Sequence, residues 1–108
     1  MLSDYQIMWV LVFFDLPVGS KSERRRATVF RKLLLDEGFI MKQFSVYLRS
    51  VSNRNVAEAL AERISRFVPP EGDVSIMFFT DKQYGLTKNF YGKAIKEVEK
   101  PPDQLLLF

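Results

Sequence analysis

An apolar run of eight residues, Ile7 to Phe14, ends at Asp15-Leu16-Pro17. Its length and its Val and aromatic content fit a strand buried on both faces. Pro17 and Gly19 break it, and Ser20-Lys21-Ser22-Glu23 follows as a capping box, with Ser at the N-cap and Glu three positions on. Gly38, after Asp36-Glu37, supplies a helix-ending residue, so a first helix spans about residues 21 to 37. Phe39 to Arg49 is extended in character, which gives a β-α-β opening and favours a right-handed crossover. No Gly or Pro marks a turn there, so one bent strand and two short strands meeting near Gln43 both fit. Beyond a polar stretch, in which Ser52 or Asn53 can cap, Val56, Ala57, Leu60, Ala61, Ile64 and Phe67 or Val68 recur at helical spacing. Pro69-Pro70-Glu71-Gly72 ends this second helix, and Asp73 to Thr80 reads as another strand.

Residues 81–103 read as a connecting segment, because Gly85 and Gly92 weaken any long helix and Lys100-Pro101-Pro102 is a stiff spacer. Residues 104–108 (QLLLF) read as a terminal apolar strand. The order matches an α+β fold, a ferredoxin-like βαββαβ sandwich with an additional C-terminal strand. On a monomer that last strand would leave an apolar edge exposed; pairing with a second copy removes it, so the chain reads as a homodimer.

At 108 residues the chain allows one domain, 1–108, and its fifteen aromatic residues exclude a disordered chain. There is no Cys, which excludes disulfides, Cys-ligated zinc and thiol catalysis. There is no His, which excludes imidazole acid–base chemistry and the commonest transition-metal ligand. Any catalysis must run on carboxylates, hydroxyls, Lys, Arg and a hard metal ion. The first apolar run is far too short for a membrane span and lacks a basic leader, so a soluble, cytoplasmic protein with no membrane partner is expected.

The net charge is +3, but nine basic and three acidic residues fall between Gly19 and Arg54, so that stretch carries +6 and the remainder −3. On a helical projection Lys21, Arg24, Arg25, Arg31 and Lys32 share an arc of about 120°, with Thr28 at its middle. A basic stripe on an otherwise mildly acidic chain points to a polyanionic partner, with nucleic acid first among them; a solvated helix face is the other reading. Lys42, in the next extended stretch, is a further nucleic-acid-binding candidate.

Asp15 ends a buried strand where a sheet presents groups to a ligand. It also fits a turn aspartate that accepts backbone N–H bonds beside Pro17. One carboxylate is a poor Mg²⁺ site, whereas two copies of Asp15 facing across a dimer axis would suffice for a hydrated ion. Alternation along Gln43-Phe44-Ser45-Val46-Tyr47 places Ser45 and Tyr47 on one strand face, where Ser45 could bond a phosphate or a metal-bound water.

Val10 to Arg49 closely resembles the CRISPR-associated Cas-two family in its type II form. The likeness rests on Phe14-Asp15-Leu16-Pro17, Glu23-Arg24, Glu37-Gly38-Phe39 and Gln43-Phe44-Ser45-Val46-Tyr47. Thr80-Asp81-Lys82-Gln83-Tyr84 and the Leu-rich end are similar to the family as well. The resemblance implies a homodimer whose last strand, 104–108, docks on the partner protomer. It implies a role in CRISPR spacer acquisition, bridging the CRISPR integrase and holding duplex prespacer DNA. It also implies a Mg²⁺-dependent endonuclease on DNA or single-stranded RNA, with Asp15 of each protomer as catalytic metal ligand. Ser45 and Tyr47 take supporting positions, and Arg24, Arg25, Arg31 and Lys32 the nucleic-acid contacts. A toxin-like ribonuclease of the same fold outside CRISPR is the alternative.

Overall fold

The computed structural model describes residues 6–102. In chain order the elements are β1 (Met8–Asp15), α1 (Lys21–Asp36), β2 (Ile40–Gln43), β3 (Val46–Val51), α2 (Arg54–Ser65), β4 (Asp73–Thr80), α3 (Asp81–Gly85), β5 (Asn89–Tyr91) and β6 (Ala94–Lys96). The first four strands form an antiparallel sheet in the order β2-β3-β1-β4, and β5 and β6 form a separate hairpin. Helices α1 and α2 are thus crossovers, each joining two strands that run the same way with one strand between them. This is the expected βαββαβ sandwich. None of the described helices is long and apolar enough to cross a membrane.

Local signals set the helix ends. Ser20 and Glu23 complete the capping box: Glu23 N donates to Ser20 Oγ at 3.1 Å and Ser20 N to Glu23 Oε1 at 2.8 Å. At the other end Gly38 takes φ 87°, which lets Phe39 N reach Leu34 O and Gly38 N reach Leu35 O, both at 3.0 Å. Helix α2 is capped by Asn53, whose Oδ1 accepts from Val56 N. The Phe39–Arg49 stretch resolves into two strands joined by a tight turn at Phe44-Ser45. Ser45 itself adopts φ 65°, so a left-handed turn exists with no glycine to announce it.

The alternate residues Met8, Val10, Val12 and Phe14 of β1 pack against Ala27, Phe30 and Leu34 of α1 and Ala57, Leu60 and Ile64 of α2. The other sheet face is only half covered. Trp9 and Leu48 lie beneath Tyr84 of α3, with Leu11, Phe79 and Val98 beside them. Trp9 stacks on Tyr84 at 4.7 Å, and its Nε1 donates to Asp81 Oδ1 at 2.7 Å. The stretch beyond Thr80, expected to be a mere connector, therefore holds a short helix and a hairpin and folds back over the sheet. Toward Asp15 nothing in the described chain covers this face: Phe13 is 37% exposed and Met77 42%. The β1 run is thus sealed along one side and, on the other, only at its Trp9 end. The expected terminal strand, 104–108, lies outside the described residues.

Candidate carboxylate site and nucleic-acid interface

Asp15 is the last residue of β1 and is exposed. Strand alternation puts it with Leu11 and Phe13 on the face away from the helices. On one side, Phe14 N donates to Ser45 O at 3.1 Å, which ties the β2–β3 turn to the strand end. On the other, Asp73 opens β4 directly opposite Asp15 in the register. Gly72, just before it, has φ 97°, and a Cβ there would sit 2.7 Å from Asp15 O. The strand end is thus held between two turns. Both acids offer only hard oxygen donors to a cation, and among the described residues no group of three or more His, Cys, Asp or Glu gathers to hold a metal ion. A hydrated Mg²⁺, which takes one or two carboxylates and keeps its waters, fits this donor set when a second Asp15 is supplied by another copy.

The basic candidates separate into free and committed groups. Arg24 and Arg25 are exposed on α1, with Arg24 Nη1 donating to Val18 O at 3.2 Å and Gly19 O at 3.4 Å. Lys32 is exposed and only loosely paired with Asp36 at 3.7 Å. Arg31 is half-buried, its guanidinium 5.3 Å from the Phe44 ring centre and 6.0 Å from that of Phe14.

Lys42 belongs elsewhere, since it sits on the covered half of the second sheet face with its side chain 12% exposed. Its Nζ donates to both Glu99 oxygens at 2.9 Å and to Asn89 Oδ1 at 3.0 Å. Burial opposes the Lys42 charge, but hydrogen bonding with Glu99 and Tyr84 prevails and holds its pKa above the ordinary lysine value. Burial likewise disfavours the Glu99 carboxylate, and the Lys42 hydrogen bond prevails again, so Glu99 titrates below the usual range. Lys42 is a fastener for the C-terminal segment, and its donors are not available to a phosphate.

Ser45 and Tyr47 do not share a strand face as the alternation suggested. Ser45 lies in the turn, where its carbonyl holds Phe14. Tyr47 is buried in the helix-side core, stacked on Phe14 at 5.7 Å. It braces β1 from behind and has no route to a ligand. Three residues of this neighbourhood escaped the sequence reading: Gly72, Asp73 and Phe44. The first two come to Asp15 only through strand pairing. Phe44, 80% exposed, did carry a signal, since a large aromatic flanked by Gln43 and Ser45 is out of place unless buried.

The sequence model described as CRISPR associated protein Cas2 matches residues 8–87, from the start of β1 to just beyond α3. The chain belongs to the Cas2 family. It is 48% identical over 107 residues to a protein of Flavobacterium psychrophilum named CRISPR-associated endoribonuclease Cas2, covering 99% of this chain and 93% of that one. A Paracidovorax avenae protein of the same name is 46% identical over 108 residues, the full length of both. A solved structure titled "Crystal structure of cas2" superposes with a TM-score of 0.55 at 25% identity, over 87% of this chain and 97% of that one. Within the Cas2 family the antiparallel sheet and helix layer seen here are therefore shared architecture. The reading as a toxin-like ribonuclease outside CRISPR gains nothing from these matches.

Proposed function

We propose that this chain acts in CRISPR adaptation as a nucleic-acid-binding homodimer that bridges integrase subunits and holds duplex prespacer DNA. We further propose that the dimer carries a Mg²⁺-dependent endonuclease site where two Asp15 carboxylates meet. One observation carries the reading: Asp15 ends its strand at the margin of the apolar half of the sheet that the described residues leave uncovered. Leu11 pairs with Met77 and Phe13 with Val46, so this apolar surface is continuous across three strands. A second copy is the simplest cover for it, and a two-fold contact brings the same residue of each copy toward one axis.

In that arrangement the paired Asp15 carboxylates hold the hydrated cation, and Arg24, Arg25 and Lys32 hold phosphates along α1. Mg²⁺ held by the two Asp15 carboxylates would supply an activated water and charge neutralisation at the phosphate. The names of the relatives support RNA as one substrate of such a site. With no histidine in the chain, cleavage should be slow at neutral pH and rise with pH.

Three measurements test the reading. Sedimentation should show a dimer that Met77→Glu converts to a folded monomer. Asp15→Asn should keep the dimer and lose cleavage of single-stranded RNA and duplex DNA in Mg²⁺. A pull-down should recover the CRISPR integrase, more of it with duplex DNA present. A wild-type monomer at micromolar concentration, or undiminished cleavage by Asp15→Asn, would overturn the corresponding part.

A further inference from the structure

Phe44 stands at the tip of the β2–β3 turn with 80% of its surface in solvent. Water disfavours a bare phenyl ring, yet this one is held in place. The next residue, Ser45, is fixed at φ 65°, and its carbonyl is anchored by Phe14 N, one residue before Asp15. The Arg31 guanidinium lies 5.3 Å from the Phe44 ring centre and also reaches Phe14, so it links the exposed ring to the core. An exposed aromatic plane, backed by the Arg31 guanidinium of a helix that also carries the exposed Arg24, Arg25 and Lys32, combines the two elements used to hold unpaired nucleic acid. These are a π face on which a base stacks and cations that follow the phosphates. A duplex keeps its bases stacked on one another and offers none to such a ring.

We infer that Phe44, supported by Arg31, is a stacking platform for an unpaired nucleobase, and that it sets a single-stranded stretch beside Asp15. The inference deepens the nuclease reading above and rests on it for the role of Asp15. The platform itself is tested by binding alone. In metal-free buffer, fluorescence anisotropy of the full-length protein would compare a labelled single-stranded RNA with the same sequence as a duplex. Phe44→Leu removes the π face and keeps apolar bulk; it should weaken single-strand binding about tenfold and leave duplex binding within about twofold. Phe44→Trp should restore single-strand binding. Sedimentation of Phe44→Leu should be unchanged.

Equal single-strand affinity in wild type and Phe44→Leu overturns the inference, as does an equal loss on duplex. A lower sedimenting mass for Phe44→Leu overturns it too, by showing that the ring packs against another protomer. If Asp15→Asn still cuts RNA while Phe44→Leu shows the selective defect, the catalytic reading falls and the platform stands.

Discussion

Asp15 and Asp73 stand directly opposite each other at the open end of the β1–β4 ladder, two carboxylates in one antiparallel pair. Like charges in that position oppose strand pairing. Asp73→Asn should therefore raise the urea midpoint slightly at neutral pH and low salt. If a divalent cation is shared at this end of the sheet, added Mg²⁺ should stabilise the wild type more than Asp73→Asn. A lower midpoint for the variant would mean that Asp73 makes a favourable contact instead.

Gly72 sets where that pair sits. Its φ of 97° disfavours any side chain, and an added Cβ would lie 2.7 Å from Asp15 O, 2.9 Å from Leu16 Cδ2 and 3.0 Å from Pro17 Cδ. The nearest obstacle is backbone and cannot swing away. Gly72→Ala should cost about 2 kcal/mol in urea unfolding, within the range for a strained left-handed residue. Gly85→Ala, where a Cβ meets nothing within 4 Å, serves as the control and should cost little.

The Lys42–Glu99 contact makes the attachment of the C-terminal segment depend on pH. Glu99 has a folded pKa below its unfolded value near 4.5, so its contribution is present above that value and is lost as pH falls through the folded pKa. Lys42 has a raised pKa, so its contribution is intact below about 10.5 and is lost as pH rises through the folded value. Amide protection factors in residues 89–100, corrected for the intrinsic exchange rate at each pH, should thus be high between these limits and fall in acid. Glu99→Gln should abolish the acid dependence and cost about 3 kcal/mol, because it leaves a largely buried ammonium without its counter-charge.

Salt dependence separates the free cations from the committed one. Removing a single phosphate-binding cation should lower the slope of log K against log salt on duplex DNA by about 0.9. Arg24→Ala, Arg25→Ala and Lys32→Ala should each lower it, whatever the base sequence. Lys42→Met should leave the slope unchanged, since its ammonium already faces Glu99 at 2.9 Å. A reduced slope for Lys42→Met would show that the Lys42–Glu99 pair opens when nucleic acid binds.

What the amino-acid order settled by itself was local. Ser20, Glu23 and Gly38 bounded α1, because these preferences are satisfied within a few residues along the chain. The sequence offered Ser52 or Asn53 as the cap of α2 and carried that helix to Phe67 or Val68, whereas Asn53 caps it and it ends at Ser65, four residues before Pro69. The element order that follows from them was enough for the sandwich. The arc of Arg24, Arg25 and Lys32 was legible for the same reason, as a helix repeats at a constant angle. Only tertiary structure decided that Asp73 faces Asp15, that Glu99 claims Lys42 across 57 positions of sequence, and that Tyr47 turns inward to Phe14 while Phe44 stays in water. Strand register and a left-handed serine turn depend on partners distant along the chain, and a charged side chain is free or occupied according to what folds against it. No spacing rule within the sequence carries that information.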